Sequence, residues 1–234
     1  MVSDFQLAKD LPFADGKFPI VITKFQNYEL KGKKVTLIPV HKADQIPLSL
    51  VKTLHKQFNH VIEEGKTYPH HEPFPLQKFI DYWFIHFVAI LVEGTYTSYE
   101  SLKGSENWDD LFLGNFYIKS NYIGRCSHVC NAGFITNYNK RGLGIGKALG
   151  RKYLELAPQL GFTYSVFNLV FETNVASLKI WDGLGFERIG YVKNVAVLKG
   201  ENKLVGAVMY GKDLQNQPLL PSHVDHVPND SYFK

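Results

Sequence analysis

Apolar and polar residues along this chain alternate first at one period and then at another, and the changes of period mark its elements. Lys34-Val-Thr-Leu-Ile-Pro-Val40 reads as a strand, whereas Leu50, Val51, Leu54, Phe58, Val61 and Ile62 recur at helical spacing up to a stop at Gly65. Pro75 to Ile85 fits a second, shorter helix. His86 to Glu93 and Leu111 to Ile118 read as strands, joined by a long polar loop with an acidic knot from Glu106 to Asp110. Ser127 to Thr136 is the next strand. A glycine-rich turn follows, then a helix whose apolar face is Ile145, Ala148, Leu149, Tyr153, Leu156 and Leu160. Pro158 is expected to loosen its last turn, and Gly161 to end it in the left-handed conformation. Ser165 to Phe171 is almost continuously apolar, the pattern of a strand buried on both faces. Asn174 to Leu184 returns to helical spacing, and Glu187 to Tyr191 and Leu204 to Tyr210 are the last strands. Met1 to about Leu30 reads as irregular, with Pro12, Gly16 and Pro19 as breakers, and the tail carrying Pro218, Pro221 and Pro228 reads as extended. Strands alternating with helices make this an α/β layout.

Composition narrows the class. The 234 residues are 45% hydrophobic and 21% charged, which excludes a disordered, collagen-like or low-complexity chain. A chain this long buries roughly 70% of its unfolded surface and needs no disulfide or metal to hold a core. Only two cysteines, Cys126 and Cys130, are present, which points to a reducing compartment. The start lacks a cationic flank followed by an apolar run, so no secretory signal is expected. The most apolar stretch, Tyr82 to Val92, falls short of the ~20 residues a bilayer span needs, so no membrane association is expected. A net charge of +4 does not call for nucleic acid. Its distribution matters more. No acidic residue lies between Asp110 and Glu155, while Lys119, Arg125, Lys140, Arg141, Lys147, Arg151 and Lys152 all do. Such a stretch is either a solvated basic face or an attractor for an anionic ligand.

The glycines favour the second reading. Lys140-Arg-Gly-Leu-Gly-Ile-Gly-Lys147 lies between a strand and a helix, where backbone amides at the helix start point at an anion and glycines let it approach. A P-loop would need Gly and Ser/Thr where this chain has Arg141 and Ala148, and a dinucleotide fingerprint would need its third glycine one residue beyond Gly146. Arg-x-x-Gly-x-Gly does fit, at Arg141, Gly144 and Gly146. This pattern resembles the pyrophosphate loop of the GNAT (GCN-type) N-acetyltransferases, which hold acetyl-CoA. Downstream, Asn174, Ser177, Trp181, Gly185 and Phe186 match the next helix of that superfamily. The resemblance implies an acyl-CoA N-acyltransferase fold: a mixed, mostly antiparallel sheet with splayed central parallel strands, flanked by helices. Residues 1–30 would be an extension packed on the domain, 31–214 the domain, and 215–234 a tail. It also implies that the cofactor is held by Ile135 and Thr136, by Arg141, Gly142, Leu143, Gly144, Ile145 and Gly146, and by Asn174, Ser177 and Trp181.

Longer segments narrow the likeness. Asn115 to Tyr122, Arg125 to Phe134 and Tyr164 to Asn174, with Gly65 to Pro69 and Tyr82 to Phe84, are similar to fungal acetyltransferases that detoxify the proline analogue L-azetidine-2-carboxylate. That resemblance implies direct acetyl transfer to a small cyclic secondary amine, or to a glutamate-semialdehyde/pyrroline-carboxylate metabolite, with a role against oxidative stress. It implies a homodimer; the cytoplasm is the default address for a chain of this composition, with a mitochondrial fraction left open. Asn168 interrupts an apolar strand, and a buried amide left without partners costs about 1–3 kcal/mol. Asn131 lies in the preceding strand, where the superfamily's two strands part, and the family assigns substrate contacts to asparagines at both positions. Catalytic and substrate-binding roles for Asn131 and Asn168 stand against a purely structural one, bridging strand irregularities.

Two departures bear on mechanism. Trp181 stands where many members have the tyrosine that protonates the leaving thiolate, and the strand before the loop lacks their glutamate base. Glu172 is the nearest carboxylate and takes no assigned role, which leaves water held by the asparagines to accept the amine proton. Cys126, His128 and Cys130 would share one face of a continuous strand, but no second cluster completes a zinc site and no metal is expected. The rival functions are acetylation of a polyamine, an antibiotic or a protein amine, and non-catalytic acyl-CoA binding.

Overall fold

In the computed structural model, which describes residues 20–104 and 107–214, the alternating segments pair into one sheet. Its strands are β1 (Gln26–Leu30), β2 (Lys33–Val40), β3 (Phe87–Glu93), β4 (Phe112–Ser120), β5 (Val129–Thr136), β6 (Tyr164–Phe171), β7 (Glu187–Ala196) and β8 (Val205–Asp213). They lie in the order β1-β2-β3-β4-β5-β6-β8-β7, and every neighbouring pair is antiparallel except β5 and β6. The helices are α1 (Leu48–Glu64), α2 (Leu76–Trp83), α3 (Trp108–Leu111), α4 (Ile145–Gln159) and α5 (Val175–Gly183). None is long and apolar enough to cross a membrane.

Period-two alternation gives the sheet two apolar faces. Val35, Leu37, Phe87, Ala89 and Leu91 pack with Leu149, Tyr153 and Leu156 of α4, whereas Ile38, Val40, Val88 and Ile90 pack with Leu54 and Phe58 of α1 and Trp83 of α2. Each such side chain, when buried, contributes about 1.5–3 kcal/mol. Gly65 and Gly161 adopt left-handed φ values of 66° and 94° just past α1 and α4, so both helices stop where glycine permits the turn. Pro158 sits inside the last turn of α4 without ending it.

The one parallel pair creates the feature on which the site depends. Helix α4 crosses over between β5 and β6, as a parallel connection requires. Those strands then pair only at Val129↔Tyr164 and Cys130↔Ser165. Beyond Cys130, β5 stays with β4 as far as Thr136, while β6 stays with β8. A wedge opens between them.

Several elements differ from their sequence expectations. Gln26–Leu30, expected to be part of an irregular extension ending at residue 30, is the edge strand β1; Lys31 and Gly32, with φ of 50° and 80°, form the tight turn into β2. Part of the acidic knot folds as α3, because Asp109 accepts hydrogen bonds from Thr53 and Lys56 of α1. The strand expected from Ser127 begins at Val129, after a 3-10 turn at Gly124–Cys126. β6 is not buried throughout: its register against β8 shifts between Phe167 and Val170, and Leu169 is 40% exposed. β7 and β8 run beyond their expected ends. Expectations for residues 1–19, for Glu106 and for Pro218, Pro221 and Pro228 lie outside the described residues.

Candidate active site

The wedge between β5 and β6 continues into a cleft of about 890 Å³ that passes under the start of α4 and reaches the loop between α1 and α2. Of the expected site residues, Asn131, Ile135 and Thr136 on β5, Asn168 on β6, Arg141, Gly142, Gly144, Ile145 and Gly146 in the loop, and Asn174, Ser177 and Trp181 around α5 all line it. Leu143 does not line the cleft; it is 48% exposed. Four of the seven cations in the acid-free stretch, Lys119, Lys140, Arg141 and Lys147, also border it.

At one end the loop supplies donors. Gly142 and Gly144 have φ of 80° and 77°, which lets the chain double back and start α4 at Ile145. No backbone N–H from Arg141 to Lys147 finds an acceptor among the described residues. A row of orphan amides at a helix N-terminus is an anion-binding edge. Gly146 is needed for closeness: a Cβ there would stand 3.0 Å from Ile180 Cδ1 on α5. The Arg141 guanidinium grips Glu64 at 2.7 and 2.6 Å, and this hydrogen bonding holds the Glu64 carboxyl below its usual range. The pair is partly exposed, so it contributes at most about 1 kcal/mol. Asn174 caps α5, its Oδ1 accepting from the Ser177 N–H at 3.2 Å.

At the other end three amides converge. Asn121 Oδ1, just past β4, accepts from Asn131 Nδ2 at 3.0 Å and from Asn168 Nδ2 at 2.6 Å, and Asn121 Nδ2 donates to Asn168 Oδ1 at 3.3 Å. The bulge in β6 turns Asn168 toward this meeting point. Sequence reasoning missed Asn121 as the hub, along with Tyr68, Tyr82 and Tyr117 in the same wall, and singled out Lys119 only as one of seven cations in the acid-free stretch. Their segments carried the family likeness, but the convergence depends on pairings far apart in the chain. Burial pushes the Tyr68, Tyr82 and Tyr117 phenols above their ordinary range.

Other candidates disperse. The Trp181 indole packs on Phe134 and Phe167, with ring centroids 4.9 and 4.6 Å away. Glu172 lies outside the cleft, accepting from the Gly206 N–H and the Tyr191 hydroxyl, both at 2.8 Å. Cys126 is exposed in the 3-10 turn, His128 precedes β5 and Cys130 is buried within it, so the three do not share one strand face. Burial pushes the Cys130 thiol up to about 12, which keeps it protonated. No group of three or more His, Cys, Asp or Glu among the described residues is placed to hold a metal.

No protein-family model matches the chain. N-acetyltransferase aca1 of Schizosaccharomyces pombe is 41% identical over 164 residues, which cover 69% of this chain and 78% of that protein. Protein SPT10 of Saccharomyces cerevisiae is 32% identical over 82% of this chain, a match that spans 36% of that longer protein. Among solved structures, a GCN5-related N-acetyltransferase from Kribbella flavida superposes with a TM-score of 0.62 at 23% identity, covering 76% of this chain and 97% of that one. The structure of yncA from Salmonella typhimurium, solved with its cofactor acetyl-CoA, gives 0.60 at 12% identity over 80% and 98% of the two chains. These two structures share the fold. The splayed sheet agrees with them, and the fungal relative carries the assignment further: the chain belongs to the GNAT superfamily of N-acetyltransferases.

Proposed function

We propose that this N-acetyltransferase moves the acetyl group of acetyl-CoA directly onto a small cyclic secondary amine that bears a carboxylate, with L-azetidine-2-carboxylate as the laboratory substrate. A glutamate-semialdehyde/pyrroline-carboxylate metabolite is the related physiological acceptor, which would make the reaction protective against a toxic analogue and oxidative stress. One observation carries this reading: the acceptor end is lined by the amides of Asn121, Asn131 and Asn168, by tyrosines and by Lys119, and among the described residues the only acidic one lining the cleft is Glu64, already paired with Arg141. A polyamine would need carboxylates there.

The amides of Arg141 to Lys147 and the basic loop suit a pyrophosphate, with Ile135 and Thr136 beside the arm that leads from it into the wedge. Bound acetyl-CoA supplies a thioester. Asn131, Asn168 and Asn121 then orient the amine nitrogen for attack on the acetyl carbon, within about 3–3.5 Å. The new N–C bond forms as the thiolate leaves, and the amine proton passes to water held by the amides. Trp181 has no acidic proton for the thiolate; its role is to wall the wedge.

Two copies of the chain are proposed to associate through β7, an edge strand whose Ile189 and Tyr191 are 45% and 54% exposed. Light scattering of the purified protein tests that. The cytoplasm, with a mitochondrial fraction, is the proposed compartment, to be tested by fractionation. The reaction is tested by thiol release from acetyl-CoA with azetidine-2-carboxylate, spermidine or a peptide as acceptor. Release with the first alone supports the reading, and release with spermidine or peptide alone rejects it.

A further inference from the structure

Lys119 stands out among the basic residues of the cleft because it is partly buried and, among the described residues, no carboxylate answers its charge; Lys147 and Lys179 also lack an ion pair there but are exposed. It lies on β4 directly opposite Asn131 of β5, so the two side chains rise from the same face of the sheet. Its ammonium sits 4.6 Å from the Tyr82 ring centroid and 4.9 Å from that of Tyr117. Among the described residues no carboxylate lies within 4.0 Å of it, whereas Lys140 and Arg141 at the other end have Glu93 and Glu64. The titratable groups whose charge it influences are His70 and His86, both potential cations, so the local field is positive. Burial alone holds its own pKa down, with no opposite charge to raise it.

A second polar group nearby also lacks a partner. Tyr68 lines the cleft and is partly exposed as a residue, but its hydroxyl oxygen is buried and makes no hydrogen bond among the described residues. That oxygen stands 2.5 Å from where a Gly133 Cβ would be, and the Tyr117 ring reaches the same point. A desolvated cation and an idle donor beside one ring ask for an anion. Two tyrosine faces attract the ammonium, but aromatic rings only partly replace a counter-ion.

We propose that Lys119 is the specificity residue of this enzyme, pairing with the carboxylate of the acceptor and thereby turning its ring nitrogen toward Asn131 and Asn168. This rests on the reading of the acceptor as a carboxylate-bearing amine, and it adds that the carboxylate is held by charge and not by amides alone. The substrate class becomes imino and amino acids, with the corresponding esters and amides rejected.

The test compares L-azetidine-2-carboxylate with L-azetidine-2-carboxamide as acceptors for the wild-type enzyme, Lys119→Met, Lys119→Gln and Lys119→Arg. Thiol release is the readout, with CoA affinity and melting temperature as folding controls. Wild type should prefer the acid. Lys119→Met and Lys119→Gln should raise KM for the acid by about 10- to 100-fold, the loss expected for one hydrogen bond between charged groups. KM for the carboxamide should not follow, and Lys119→Arg should restore most of the preference. Equal losses on both acceptors, or an unchanged preference in Lys119→Met and Lys119→Gln, would overturn the assignment while leaving the proposed reaction intact. A wild-type enzyme that uses both acceptors equally would overturn it too. One that uses spermidine and neither azetidine would remove the proposed reaction along with it.

Discussion

Asn121→Ala removes the hub of the amide cluster without touching either strand of the wedge. Three hydrogen bonds vanish, at 3.0, 2.6 and 3.3 Å, each worth about 0.5–1.5 kcal/mol net in a folded protein. The full sum should not appear as lost stability, because all three side chains border a cleft where water can take the vacated positions. A loss of about 1–2 kcal/mol is expected, lowering the melting temperature by roughly 2–8 °C for a domain of this size. Activity should suffer more. Asn131 and Asn168 lose the acceptor they share, and misplacement by about 1 Å at a reacting centre can cost on the order of 100-fold. Steady-state thiol release should therefore show kcat/KM down by about 10- to 100-fold, and titration should give a CoA affinity within about twofold of wild type. Asn121→Asp keeps an oxygen for both donating amides but sets its second oxygen against Asn168 Oδ1, so it should melt below wild type, and it should raise KM for a carboxylate-bearing acceptor by adding a like charge. An Asn121→Ala enzyme within threefold of wild-type kcat/KM, or one that has lost CoA binding, would refute the reasoning.

Two further perturbations address the other end of the cleft and the fold. Gly144→Asp places a side chain at φ 77° and a carboxylate beside the orphan amides; it should cost about 1 kcal/mol of stability while weakening CoA binding at least about 30-fold, and unchanged affinity by calorimetry would exclude that loop as the pyrophosphate site. Acid should destabilise the protein early. Burial lowers the pKa of His86 to about 4 and lowers those of His41, His70 and His128 as well. The unfolded chain therefore binds these protons first, so stability is full above about pH 6.5 and falls as pH drops toward 4. Urea midpoints should decline over that window and less steeply in His86→Gln, and a midpoint that held steady or rose on acidification would contradict the sign.

The α/β order, most strands and helices, and the glycine-rich loop at one end of the cleft were legible in the sequence because each depends on near neighbours. Helix α1 follows from the spacing of Leu50 to Ile62 and the stop at Gly65, and the loop at Arg141 to Gly146 is a short motif whose glycines set its own backbone. The misses share a cause. Gln26–Leu30 is too short to announce itself and becomes a strand only because β2 pairs with it; Asp109 helps shape α3 only through α1. The amide-lined end of the cleft shows this most clearly. Asn168 stood out as a polar residue in an apolar run, and Asn131 by likeness, but nothing local marks Asn121 or sets Lys119 apart from the other cations of its stretch. They meet the other two asparagines because β4 pairs with β5 while β5 and β6 part after a two-residue contact. Local spacing therefore determined which segments form and where an anion can dock. The long-range register of the sheet decided which side chains meet at the other end of the cleft, since shifting a strand by one residue turns every side chain to the opposite face.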